Sequence, residues 1–181
     1  MGKGQTFYGP GSKYKIDTTK PLTVTTQFIT ADGTDTGKLI EVKQFYTQNG
    51  RTIEHPKYSL NANQHNSITD KMCADWVHET KDGTNFLAKG GLKAVDDAFT
   101  AGAVLVVSLW DDHDANMLWL DSNYPIDADA TQKGAYRGSC KVTSGAPADV
   151  EKNLANATIH FSGIKWGPIG KTIQKSNEVS V

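Results

Sequence analysis

The polar and apolar positions along the chain alternate with period two more often than with period three or four. Leu22-Thr23-Val24-Thr25-Thr26-Gln27-Phe28-Ile29-Thr30 is dense in β-branched residues and predicts a strand. A turn-rich loop over 31–37 follows. Residues 39–48 set Leu39, Glu41, Lys43 and Phe45 against Ile40, Val42, Gln44 and Tyr46, which predicts a second strand. Asn49-Gly50 then predicts a tight hairpin turn, because both residues tolerate positive φ, and Arg51-Thr52-Ile53 is the expected return. Between 54 and 69 periodicity is weak, and His55-Pro56 with the Asn/Gln/His-rich stretch 61–66 predicts a surface loop. Residues 71–80 predict a short helix. The segment 91–102 predicts a better one, with Leu92, Val95 and Phe99 on one face and Gly102 as its stop.

The strongest strand signal is 103–110, and 117–121 reads as its hairpin partner across the polar connection 111–116. A long loop over 122–144, a short helix over 148–154 and a last strand over 157–166 complete the pattern. From 172 onward a frayed tail is expected. No repeat or linker interrupts the chain, so 1–181 is expected to be a single domain. Many strands, long loops and few helices predict an antiparallel sandwich.

Composition narrows the function classes. The 19 basic and 20 acidic side chains leave a net charge of −1. Nucleic-acid binding by counterion release needs a basic surface, so no nucleic-acid partner is expected. No apolar run approaches the roughly 20 residues that span a bilayer, so no membrane partner is expected either. The first six residues carry no apolar signal-peptide core, and their loose match to a myristoylation pattern is of a kind that arises by chance. Two cysteines, Cys73 and Cys140, are too few for a structural zinc set; they fit a disulfide, free thiols or half-bridges.

Candidate chemistry concentrates in Ser108-Leu109-Trp110-Asp111-Asp112-His113-Asp114-Ala115-Asn116-Met117-Leu118-Trp119-Leu120-Asp121-Ser122. A hairpin here would place Trp110 and Trp119 beside Ser108 and Asp121 on one face. Indoles beside hydroxyl and carboxylate suit a sugar, whose C–H face stacks on the ring while its hydroxyls bond to Asp. The pattern equally fits two core tryptophans. Asp111, Asp112, His113 and Asp114 lack the spacing of a calcium loop and read as a solvated polar turn, so no metal is expected, although His113 has the chemistry of an acid or base. The histidines at 55, 65, 78 and 160 have no metal-ligand spacing. There is no Gly-x-Ser-x-Gly elbow and no phosphate loop. Arg137, in the Gly-rich stretch 134–140, fits either a surface ion pair or bidentate bonding to a polar ligand.

A further set of residues carries a resemblance. Phe7-Tyr8-Gly9-Pro10-Gly11, Ile16-Asp17-Thr18-Thr19-Lys20-Pro21-Leu22-Thr23-Val24, Thr26-Gln27-Phe28 and Tyr46-x-Gln48-Asn49-Gly50 come first. Lys89-Gly90-Gly91-Leu92, Ser108-Leu109-Trp110-Asp111-Asp112, the stretch 115–122, Arg137-Gly138-Ser139-Cys140 and Gly167-Pro168-Ile169-Gly170 follow in order. In these stretches the chain resembles the C-terminal part of a glycoside hydrolase family 7 catalytic domain of the cellobiohydrolase I type. The resemblance implies an all-β, concanavalin-like β-jelly roll of antiparallel sheets, hydrolysis of β-1,4-glucan with retention, and no cofactor. It implies cellulose or cello-oligosaccharides as the ligand, a monomer when the domain is complete, and a secreted parent. It implies that Trp110 and Trp119 are cleft platforms, Trp110 on the non-reducing side of the cut and Trp119 on the product side. Arg137 is implied as a product-site glucose contact, and Asp111 and Tyr124 as polar residues near the cleft. Cys73 and Cys140 are each implied to bridge to a cysteine upstream of Phe7, and the sequon at Asn156 agrees with secretion.

The family's catalytic pair is Glu-x-Asp-x-x-Glu, upstream of the Phe-Tyr-Gly-Pro-Gly segment. Glu41, Glu54, Glu79, Glu151 and Glu178 form no such pattern here. The chain is therefore expected to lack the catalytic carboxylates, as an N-terminally truncated enzyme would, and to be inactive alone. A non-catalytic β-glucan-binding or vestigial domain is the alternative reading. The long segments 61–69 and 121–138 favour an exo-acting enzyme over an endoglucanase of the same family.

Overall fold

The computed structural model describes residues 6–81, 83 and 85–173. These form two compact units, one of 6–103 with 164–173 and the other of Val104–Gly163. The residues of the N-terminal myristoylation pattern up to 5, and the expected tail from 174, lie outside the described residues.

In the larger unit, the strands β1 (Tyr8–Gly9) and β2 (Ile16–Asp17) pair in parallel. Strands β3 (Thr23–Thr30), β4 (Leu39–Gln48) and β5 (Arg51–Glu54) form an antiparallel sheet in the order β3-β4-β5, with Phe28 opposite Val42 and Gln48 opposite Arg51. The β4–β5 turn is the expected one: Asn49 and Gly50 both take positive φ, at 52° and 72°. The predicted helices form α1 (Asp70–Thr80) and α2 (Gly91–Ala101). Thr69 caps α1 by accepting from the Met72 N–H at 3.0 Å. Helix α2 lies against the sheet, and Phe99 meets Phe28 edge to face at 4.8 Å.

Two buried carboxylates organise this unit. Asp17 accepts from the Thr19 hydroxyl at 2.7 Å and from the backbone N–H groups of Gly11 and Thr19. Its own N–H donates to Gln48 Oε1, which ties the N-terminal segment to β4. The Thr19 hydroxyl, the two N–H groups and Lys20 outweigh burial and hold the Asp17 carboxyl down at about 2. Asp75, on α1, gathers Asn61, Asn63, His65 and Lys71 at 2.9–3.3 Å. Burial works against its charge, but the bonds from Lys71, Asn61 and His65 win and set this carboxyl also at about 2.

That hub explains one departure from the sequence expectation. Instead of a plain surface loop, 54–69 contains the hairpin of β6 (Tyr58–Leu60) and β7 (Asn63–His65). Its turn residues Asn61 and Ala62 take positive φ. Asn61, Asn63 and His65, among the polar side chains that suggested a loop, turn inward on Asp75.

Both carboxyls sit below their unfolded value of about 3.9. Their stabilising effect is therefore complete above about pH 4 and is lost as the pH falls toward 2. The urea midpoint should drop steeply over that window, and Asp17→Asn should flatten the drop; a midpoint independent of pH between 5 and 2 would overturn this.

In the smaller unit three strand expectations fail. Residues 104–110 and 157–163 form no strand ladder among the described residues, and Val104 is 88% exposed. The same holds for 164–166 in the larger unit. Period-two patterning specifies extended backbone but not its partner. Residues 117–121 are not a strand either: they form the helical turn α3 (Leu118–Asp121). The expected short helix is present as α4 (Pro147–Asn153), with Pro147 at its first position. Among the described residues no helix is long and apolar enough to cross a membrane.

Candidate functional site

The smaller unit holds every residue proposed from the sequence to contact a ligand. Its organiser is Asp112, which is nearly fully buried. Asp112 Oδ1 accepts from the N–H groups of Asp114 and Ala115 at 2.9 and 3.0 Å. Its Oδ2 accepts from the Met117 N–H at 3.4 Å and from the Trp119 indole Nε1 at 2.8 Å. The Ala115 N–H and the Trp119 indole lead in holding this carboxyl below the usual carboxylate range, against burial.

The same bonds explain why no hairpin forms. With its carboxylate capping the following N–H groups, Asp112 turns the chain back on itself, and Asn116 and Met117 take positive φ. The chain enters α3 instead of a return strand. Ser108 and Asp121 are therefore not strand partners beside the tryptophans, as a hairpin would have made them.

The two tryptophans nevertheless meet. Their ring centroids lie 6.4 Å apart with planes 26° from parallel. Trp110 is 56% exposed and Trp119 half-buried, so neither is a core residue. Trp119 is fixed from both ends, its indole N–H on Asp112 and its carbonyl accepting from Arg137 Nη1 at 3.1 Å.

Arg137 joins the cluster through the loop that follows α3. Arg137 N–H donates to the Ser122 carbonyl, Tyr124 N–H to Ala135, and Cys140 N–H to Asp121, so 121–124 and 135–140 run side by side. The fully buried Ser122 hydroxyl closes the arrangement on the Cys140 carbonyl at 2.7 Å. Arg137 Nε donates to Gly134, and its guanidinium lies 5.6 Å from the Tyr124 ring centre. Trp110, Trp119, Arg137 and Tyr124 thus form a run of aromatic surface edged by guanidinium donors. Asp111 directly follows Trp110 in the chain, and its Oδ1 lies 3.7 Å from His113 Nε2.

Gly138 is required by the approach of the two segments, since a Cβ there would overlap the Asp121 carbonyl. Gly138→Ala is expected to cost about 1–3 kcal/mol, as overpacking does. A thermal melt should show this as a fall of several degrees; an unchanged melt would mean the segments separate without cost.

Both cysteines are free thiols, so they are not bonded to each other. Cys73 lies on α1 and Cys140 beside Asp121. Burial and a neighbouring carboxylate, Asp70 for Cys73 and Asp121 for Cys140, push both thiols up. Asn156 of the sequon is exposed just after α4.

Residues 1–173 match the model of Glycosyl hydrolase family 7. A cellobiohydrolase of that family from Daphnia pulex is 50% identical and superposes with a TM-score of 0.89, over 93% of this chain and 38% of that one. A cellobiohydrolase from Melanocarpus albomyces is 35% identical, with a TM-score of 0.71 over 84% of this chain and 33% of that one. Humicola insolens endocellulase EGI is 30% identical, with a TM-score of 0.63 over 82% and 33%. The chain therefore spans about a third of the length of these solved relatives. Its architecture is the β-jelly roll of that group, and the chain belongs to glycosyl hydrolase family 7.

Proposed function

We propose that this chain is the glucan-binding, product-side portion of a secreted cellulase of the cellobiohydrolase type, and that it binds cello-oligosaccharides without cleaving them. The observation that carries the proposal is the Trp110–Trp119 pair, fixed by Asp112 and edged by Arg137 and Tyr124. A pyranose presents axial C–H bonds on its face and hydroxyls at its rim. The indoles take the face and the guanidinium the rim. Asp111 is the further acceptor proposed near this cleft. The ligand class agrees with relatives described as complexed with cellotetraose and with cellobiose. Family relatives include both cellobiohydrolases and endoglucanases. The length of segments 61–69 and 121–138 supports the exo-acting type, as the resemblance implies.

Hydrolysis with retention needs a nucleophile carboxylate and an acid/base carboxylate about 5–5.5 Å apart across the bond. The described glutamates serve other contacts or stand elsewhere. Glu54 pairs with Lys43 at 3.0 Å, Glu79 accepts from the Asn61 N–H at 2.9 Å, and Glu151 is 3.6 Å from His113. Glu41 lies on β4, and Glu178 is outside the described residues. On this reading the residues of the chain bind and orient a glucan without the family's Glu-x-Asp-x-x-Glu pair, whose motif its sequence lacks, which also supports a purely glucan-binding domain. As part of the same reading, Cys73 and Cys140 bridge to cysteines of an upstream segment, Asn156 carries a glycan, and the complete domain is a single monomeric unit with no cofactor. Titration with cellotetraose, with maltotetraose as control, tests the reading: saturable binding of the β-linked sugar alone supports it, and equal or absent binding of both overturns it.

A further inference from the structure

We infer that Asp111, His113 and Glu151 form a binding site for one divalent transition-metal ion of the zinc class. The sequence gives no such indication, because Glu151 lies 38 positions from His113 and no short spacing links them. The fold brings the three together. His113 Nε2 is 3.7 Å from Asp111 Oδ1 and 3.6 Å from Glu151 Oε1, and the three donor atoms lie within 4.8 Å of one another. Those separations are too long for hydrogen bonds. They are close to what a shared ion asks for: ligands at about 2.0–2.2 Å in tetrahedral array stand roughly 3.4 Å apart. Reaching that spacing takes a contraction of a few tenths of an ångström between the His113 nitrogen and each carboxylate, and rotation of the exposed Glu151 side chain to bring its carboxylate, now within 4.8 Å of Asp111, into the set.

The donor set selects the metal. One imidazole nitrogen and two carboxylate oxygens suit zinc and its borderline neighbours, with the remaining positions open to water. Calcium requires six to eight oxygens and magnesium prefers oxygen ligands with retained water, so neither matches a site anchored on imidazole. Two carboxylates and a neutral imidazole also balance a divalent charge. The His113 side chain is 74% exposed and Glu151 63%, so an ion reaches the site directly from solvent. A bound ion would tie the turn that follows Trp110 to α4, within the same unit. The site does not depend on the glucan reading.

The test is zinc titration of the full 181-residue chain by calorimetry and by thermal melt, against His113→Ala, Glu151→Gln and the double variant Cys73→Ser/Cys140→Ser. One zinc ion per chain is expected, raising Tm. Affinity should fall at least tenfold in each of the His113 and Glu151 variants and stay unchanged in the cysteine variant. Glu151→Gln preserves the helix and the side-chain volume, and circular dichroism on each variant confirms the fold. Cobalt in place of zinc should give d–d bands without thiolate charge transfer. Absence of zinc binding by the parent chain, parent-like binding by both His113→Ala and Glu151→Gln, or loss of binding in the cysteine variant each overturns the assignment.

Discussion

Incubated with cellulose or cellotetraose, the 181-residue chain is expected to release no cellobiose. Without the family's Glu-x-Asp-x-x-Glu pair, the agents that would form a glycosyl-enzyme and protonate the leaving oxygen are missing. General acid–base help alone is worth about 10²–10⁴ in rate, and the nucleophile a further large factor, so the loss should reach the detection limit. Reducing-sugar release above a heat-treated control would overturn this. Supplying the part of a family 7 domain that bears the pair, fused or in trans, should bring cellobiose release back. If binding to cellotetraose is intact and such reconstitution fails, the chain is a glucan-binding domain in its own right.

Trp110→Ala should weaken cellotetraose binding by about 1–3 kcal/mol, by analogy with ring stacking on bases, which is roughly 5- to 150-fold in Kd. Trp119→Ala should cost at least as much, since it removes a ring and one of the bonds that hold Asp112. Trp119→Phe separates the two effects. It keeps a smaller stacking ring and removes the indole N–H, so Asp112 loses a donor and its carboxyl should rise toward the ordinary range. Affinity should then fall less than for Trp119→Ala. Equal binding by the parent chain, Trp110→Ala and Trp119→Ala would remove the tryptophan pair from the site. Isothermal titration gives both the affinities and the stoichiometry.

The chain's local grammar was largely readable. The β3–β4–β5 sheet, its Asn49-Gly50 turn, and helices α1, α2 and α4 all appear where periodicity, caps and turn residues put them. These elements are governed by neighbours close in sequence: apolar spacing, a Thr69 cap, a Gly102 stop. Family membership was readable too, because it resides in ordered short motifs and not in any one contact. The types of the site residues, Trp110, Trp119 and Arg137, followed from those motifs.

Only the tertiary structure decided how these residues meet. The sequence expected a strand at 117–121, but Asp112 captures Ala115, Met117 and the Trp119 indole and makes a helical turn there. A buried carboxylate satisfied by four donors outweighs weak strand propensity, and no periodicity records where a single side chain will bond. The polar 61–66 stretch resembled a surface loop because its Asn and His residues are polar, yet their partner Asp75 lies on α1, beyond the reach of a local pattern. Residues 104–110 have the most strand-like pattern in the chain and no ladder partner among the described residues, because hydrogen-bond pairing is a property of two segments and sequence periodicity of one. The meeting of His113 with Glu151 has the same cause: α4 delivers the carboxylate from 38 positions away, a separation fixed by the fold alone.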